Sequence, residues 1–142
     1  MPEMSPAERD AFLRETRIAK LATLKGDGSP IIVPVWFEWD GTTAAIFTGR
    51  ESPKIHRIER DPRVALSVEE GVGVAEAWVT IEGTARIEEG GIDLARRLAQ
   101  RYYEPPRRDE AVARWERFAE NLVVIRVAPT RIRSSAPEAG SS

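Results

Sequence analysis

The sequence predicts a mainly β, α+β fold: a six-stranded antiparallel barrel with helices packed against its outside. Three observations point there. The apolar runs are of strand length and are joined by tight-turn residues such as Gly26-Asp27-Gly28-Ser29 and Asp40-Gly41, which favour hairpins. The element order, α-β-β-β-α-β-β-α-α-β, lacks the strand–helix–strand alternation of a doubly wound parallel sheet. A length of 142 residues allows one core. The expected organisation is a single domain over 1–133 and a flexible tail over 134–142.

The elements follow in order. Ser5-Pro6-Ala7-Glu8 is a capping box that opens a helix to about Arg14. Ile18 to Leu24 is an apolar first strand. The second, Pro30 to Trp39, is apolar on both faces and needs cover on both, and Pro34, which has no N–H to donate, implies an edge or a bulge. Thr43 to Gly49 is the third strand. Ser52-Pro53 then starts a helix that Asp61-Pro62 stops. Arg63 to Glu69 alternates as the fourth strand, and Val74 to Ile87 is a long, two-faced fifth, with Val79, Ile81 and Ala85 on one side and Trp78, Thr80 and Glu82 on the other. Ile92 to Tyr103 has helical spacing, and Pro105-Pro106 separates it from a second helix over Asp109 to Asn121. Leu122 to Ala128 is the last strand.

Composition removes several function classes. The net charge of −2 argues against a nucleic-acid partner. No apolar run reaches the roughly 18 residues of a membrane span, and the charged start over Met1 to Arg17 is unlike a signal peptide, so a cytoplasmic location is expected. With no cysteine and a single histidine, His56, neither a Cys–His pair nor a His-rich metal site can be built from one chain, and none is expected. An enzyme of this composition would borrow its chemistry from a cofactor.

The most informative stretch is Thr48 to Arg57, where a strand end feeds a helix N-terminus, the end that favours an anion. Arg50, Lys54 and Arg57 gather there, and Lys54 is one of only three lysines. Thr48, Ser52, Lys54 and nearby N–H groups therefore form a candidate phosphate clamp; a solvated basic helix start is the alternative. Trp78 sits on the polar face of the fifth strand and needs a cover, from a planar ligand, a second subunit or the helices of Tyr102 and Trp115. Trp36 and Trp39 pose the same question. His56 points away from the lysine and reads as a surface or partner-contact residue.

Taken together, Leu21-Ala22-Thr23-Leu24, Gly28-Ser29-Pro30, Val33-Pro34-Val35-Trp36, Thr48-Gly49-Arg50, Ser52-Pro53-Lys54, Asp61-Pro62-Arg63-Val64 and Glu82-Gly83-Thr84-Ala85 form a co-linear set. The set resembles the pyridoxamine 5′-phosphate oxidase-like superfamily, and within it the short branch that uses the deazaflavin F420 or, in related groups, FMN. The resemblance spans about Ala7 to Ile132. It implies a split β-barrel, a homodimer with cofactor grooves between the subunits, and a phosphate-gripping lysine at Lys54. Thr48, Gly49, Arg50, Ser52 and Pro53 match the surrounding positions. Val33, Pro34, Val35 and Trp36 match positions that line the ring system, while Trp78 and Thr80 match those through which one subunit closes the other's site. The C-terminal Arg and Trp signature of the classical oxidases is missing, which argues against pyridoxine or pyridoxamine phosphate as substrate. The expected function is an F420- or FMN-dependent oxidoreductase that transfers a hydride to or from a small unsaturated or quinone-like molecule, with no side chain assigned as acid or base. The alternative is a non-catalytic flavin or tetrapyrrole (haem or bilin) binder on the same fold.

Overall fold

The computed structural model describes residues 2–137. Helix α1 (Pro6–Arg14) starts as its residues dictate: the Ser5 hydroxyl accepts from the Glu8 N–H, and the Glu8 carboxylate accepts from the Ser5 N–H. Strand β1 (Ala19–Leu24) turns through Gly28, which has a φ of 87°, into β2 (Pro30–Val35). Strands β3 (Glu38–Trp39) and β4 (Ala44–Gly49) lead to helix α2 (Pro53–Arg60). Strands β5 (Arg63–Glu69) and β6 (Trp78–Glu88), helices α3 (Gly91–Tyr102) and α4 (Pro105–Glu116), a short 3₁₀ turn (Ala119–Asn121) and strand β7 (Leu122–Ser135) complete the chain.

The strands form one seven-stranded antiparallel sheet in the order β2-β1-β5-β6-β7-β4-β3. Its concave face holds the core, built from alternate residues: Ala19 and Leu21, Val64, Leu66 and Val68, Val79 and Ile81, Val123, Ile125 and Val127. Phe12 of α1 and Ile55 and Ile58 of α2 belong to the same cluster. Helix α3 packs outside, where Leu94 and Leu98 meet Ala45 and Val124. No helix among the described residues is long and apolar enough to cross a membrane.

Several boundaries differ from the sequence reading, each for a physical reason. The expected second strand is two strands. The chain leaves β1 after Val35, buries Phe37 in the core and rejoins the sheet at the opposite edge through β4, which makes seven strands instead of six. Pro34 is accordingly on an edge strand. The fifth expected strand begins at Trp78, not Val74, because the Gly71–Gly73 turn carries the chain outward and leaves Val72 and Val74 exposed. The double proline opens α4 instead of preceding it, since proline suits the first helical positions, and the helix stops at Glu116. The last strand runs past Ala128 to Ser135. A register shift opposite Glu82 and Gly83 absorbs an extra residue by Pro129 and Thr130, so pairing with β6 resumes beyond it. Ser134 and Ser135 are therefore buried, with the Ser134 hydroxyl accepting from the Met4 N–H at 2.9 Å, and the expected fraying does not begin at Ser134. The rest of the expected tail, 138–142, lies outside the described residues.

Candidate functional site

Lys54, in the first turn of α2, lines a cavity of about 490 Å³ with Ile18, Pro34, Val35, Trp36, Ile46 and Phe47. One wall is edge strand β2, another is β4, and the amine enters from the helix start. The other side chains that line the cavity are aliphatic or aromatic. Lys54 is half-buried, and among the described residues it has no carboxylate partner and no hydrogen bond. Burial, and to a lesser degree the charge of Arg57, pulls its ammonium below the ordinary lysine value.

The turn before the helix carries one carboxylate, the exposed Glu51, next to Arg50. Ser52 occupies the N-cap position but caps no N–H; its hydroxyl instead accepts from Thr48 Oγ1 at 3.1 Å. No acidic residue stands in the first turn of α2, in contrast to Glu8 in α1 and Asp93 in α3. A helix start without a side-chain cap, two hydroxyls and an amine with no partner among the described residues are groups that can accept an anion. Gly49 and Pro53 shape this turn, in which the Ser52 N–H donates to Gly49 O at 3.0 Å.

Arg50 is placed differently from its neighbours. Its guanidinium makes a fork with the Glu89 carboxylate at 2.8 and 2.6 Å and donates to Glu120 O at 2.8 Å, and its N–H donates to Asn121 O. It ties the turn to the β6–α3 loop and to the 3₁₀ turn before β7. Val33 packs against the core and does not line the cavity.

Trp36 forms the aromatic wall. Its ring stacks on Tyr102 with centroids 4.8 Å apart and planes 2° apart, and it meets Tyr103 and Trp115 edge-on. Phe47 continues this wall, its ring 5.0 Å from that of Trp115. The helices of Tyr102 and Trp115 thus cover Trp36, not Trp78, which corrects one of the covers considered for Trp78. Trp39 is satisfied internally, donating from Nε1 to Asp10 at 2.9 Å. The sequence reading missed Ile18, Ile46 and Phe47 as lining; for the last two the available signal was their place on the strand that runs directly into Thr48.

Trp78 and Thr80 stand on the convex face of the sheet. Thr80 is in register with Ser67, Ser67 with Lys20 and Lys20 with Pro34, so one row crosses four strands. Trp78 lines a second, larger cavity of about 820 Å³ with Ile18, Lys20, Ser67 and the 69–74 loop. Ile18 borders both cavities. His56 is exposed, with Nδ1 3.8 Å from Glu59, and borders neither.

Comparison with known proteins agrees with this architecture. A protein of Mycobacterium tuberculosis (strain CDC 1551 / Oshkosh) named F420H(2)-dependent biliverdin reductase is 37% identical over 107 residues, covering 69% of this chain and 74% of that protein. A solved F420 reductase superposes with a TM-score of 0.70 at 25% identity, covering 87% of this chain and 94% of the other. The crystal structure of a conserved hypothetical protein from Mycobacterium tuberculosis gives a TM-score of 0.73 at 27% identity, covering 97% and 94%. The sheet described above is the split barrel of that group, and the model of the family described as pyridoxamine 5′-phosphate oxidase matches residues 5–136. The chain belongs to that family.

Proposed function

We propose that this protein is a cofactor-dependent oxidoreductase that holds F420 or FMN in the Lys54 cavity and passes a hydride between the cofactor and a small unsaturated or quinone-like molecule. The observation that carries the reading is the half-buried Lys54, with no counter-ion among the described residues, set beside an aromatic and aliphatic wall. A tricyclic ring bearing a phosphate satisfies both halves at once. The relatives named for F420 support this cofactor class.

The bound cofactor would supply the hydride chemistry, and the chain's own residues would hold and shield it. Lys54 pairs with the phosphate, and the Thr48 and Ser52 hydroxyls and the α2 start add hydrogen bonds. Pro34, Val35 and Trp36 back the ring. Edge strand β2 excludes water from one side of it, while the Trp36–Tyr102 stack keeps the indole from rotating. The reading includes a homodimer in which the convex face carrying Trp78 and Thr80 closes the acceptor side of the neighbouring subunit's groove. Ile32, 64% exposed, and Ile18, 40% exposed, give that face its apolar content. A haem binder has less support, because the one imidazole, His56, lies outside the cavity lining.

The experiment is a stopped-flow reaction of the protein loaded with reduced cofactor against quinone and bilin acceptors, followed by cofactor absorbance. Oxidation at least about tenfold faster than for free cofactor supports the reading, a factor equivalent to about 1.4 kcal/mol off the barrier. A bound cofactor that reacts no faster with any acceptor would sink it.

A further inference from the structure

Glu15 to Ile18 join helix α1 to strand β1 and belong to neither, yet Ile18 borders both cavities. The carbonyls of such a segment need donors from elsewhere, and the last two residues of α3 supply them. Arg101 donates to the carbonyls of Leu13, Arg14 and Glu15 at the end of α1. Tyr102 reaches further along the chain. Its hydroxyl donates to Arg17 O at 2.5 Å, which fixes the peptide plane that leads into Ile18. The same hydroxyl accepts from the Phe37 N–H at 3.5 Å, and the ring that carries it stacks on Trp36. Arg17 anchors the segment from the other side. Its side chain, 10% exposed, donates to Phe12 O at 2.6 Å and to Glu70 at 3.0 Å.

We propose that Tyr102 is a positioning residue for the Lys54 cavity: its ring fixes Trp36, its hydroxyl fixes Ile18, and these two walls are thereby held at one spacing for a flat ring. Tyr102 lies outside the cavity lining, so it acts through the two wall residues and touches no ligand itself. Capping of α1 does not account for the bond, because Arg17 lies beyond the end of that helix and Arg101 already serves its carbonyls. Nor does packing, since a phenylalanine would stack on Trp36 equally well. A wall residue left loose between two elements would have to be ordered by the ligand at a cost in affinity, and the hydroxyl removes that cost in advance. The assignment rests on the cofactor reading for the identity of the ligand and adds the residue that shapes the ring end of its site.

The test isolates the hydroxyl with Tyr102→Phe in the full chain. In the absence of ligand, the order parameter of the Ile18 δ-methyl group, measured by NMR relaxation, should fall by about a third. That of Ile46, which lines the same cavity from strand β4, should stay within about a tenth of its wild-type value. Titrations with FMN and F420 give the second readout. Tyr102→Phe should weaken the cofactor that wild type binds by about tenfold, but by less than about twofold in an Ile18→Ala background, because a residue acting through Ile18 has nothing to add once that side chain is cut back. Arg101→Gln, which frees the same segment at its other end, repeats both readouts if Tyr102→Phe does not fold. An Ile18 methyl as ordered as in wild type, an equal loss of affinity in the two backgrounds, or an affinity unchanged by Tyr102→Phe overturns the proposal. A loosened Ile18 in a chain that binds neither cofactor keeps the positioning role and removes the cofactor reading. Cofactor binding with an unmoved Ile18 does the reverse.

Discussion

At the scale of single residues, the chain places charges beside one of two kinds of partner. Asp40 shows the first kind. Although partial burial alone would raise its pKa, the N–H groups and hydroxyls of Thr43 and Thr42 all donate to its carboxylate and hold it at about 2. A carboxylate depressed in the folded state contributes stability above its ordinary value near 3.8, and that contribution is lost as the pH falls towards 2. Denaturation midpoints of wild type should therefore fall across that window more steeply than those of Asp40→Asn, and parallel curves would remove Asp40 from the account. Lys54 shows the second kind, a charge with no carboxylate partner among the described residues, for which the proposed function supplies one from outside the chain. Its importance was legible in the sequence because lysine is rare here and this one follows a Ser-Pro helix start. The role of Arg50 was not legible: its partner Glu89 is 39 residues away, and only the fold brings the two together.

At the scale of elements, local signals governed the starts better than the ends. The capping box placed α1 correctly, because both of its hydrogen bonds are made within four residues. Ser5→Ala should cost about 1 kcal/mol of unfolding free energy in urea denaturation. The division of β2 from β3 and the length of β7 depend on which neighbour each backbone pairs with, a property that periodicity does not carry. Gly91 marks where packing overrules propensity. It begins α3, where alanine would normally favour the helix, yet a Cβ there would lie 2.5 Å from the Leu122 carbonyl carbon and 2.6 Å from the Val123 nitrogen. Both atoms are backbone and cannot yield cheaply. Gly91→Ala should therefore destabilise by about 1–3 kcal/mol, and a thermal midpoint equal to or above wild type would contradict the close approach of α3 to β7.

At the scale of the whole molecule, the barrel is open between β2 and the β3–β4 edge, and the Lys54 cavity lies at that opening. The sequence anticipated an antiparallel barrel through its hairpin turns and absent βαβ units, and it singled out the helix start at Lys54 that borders the cavity. The aromatic wall escaped it because Trp36, Tyr102 and Trp115 are far apart in the chain. A domain this small leaves its convex face uncovered, and light scattering should report twice the 15.9 kDa chain mass. Ile32→Asp should shift that mass towards the monomer. The central claim is that an anionic, ring-bearing cofactor is anchored by Lys54, and its most direct test is a fluorescence titration of wild type and Lys54→Glu with F420 and FMN. Reversing the charge should weaken the bound cofactor by about a hundredfold or more, the equivalent of about 3 kcal/mol, while leaving the melting temperature within a few degrees. Equal affinity in the folded Lys54→Glu protein would contradict the claim.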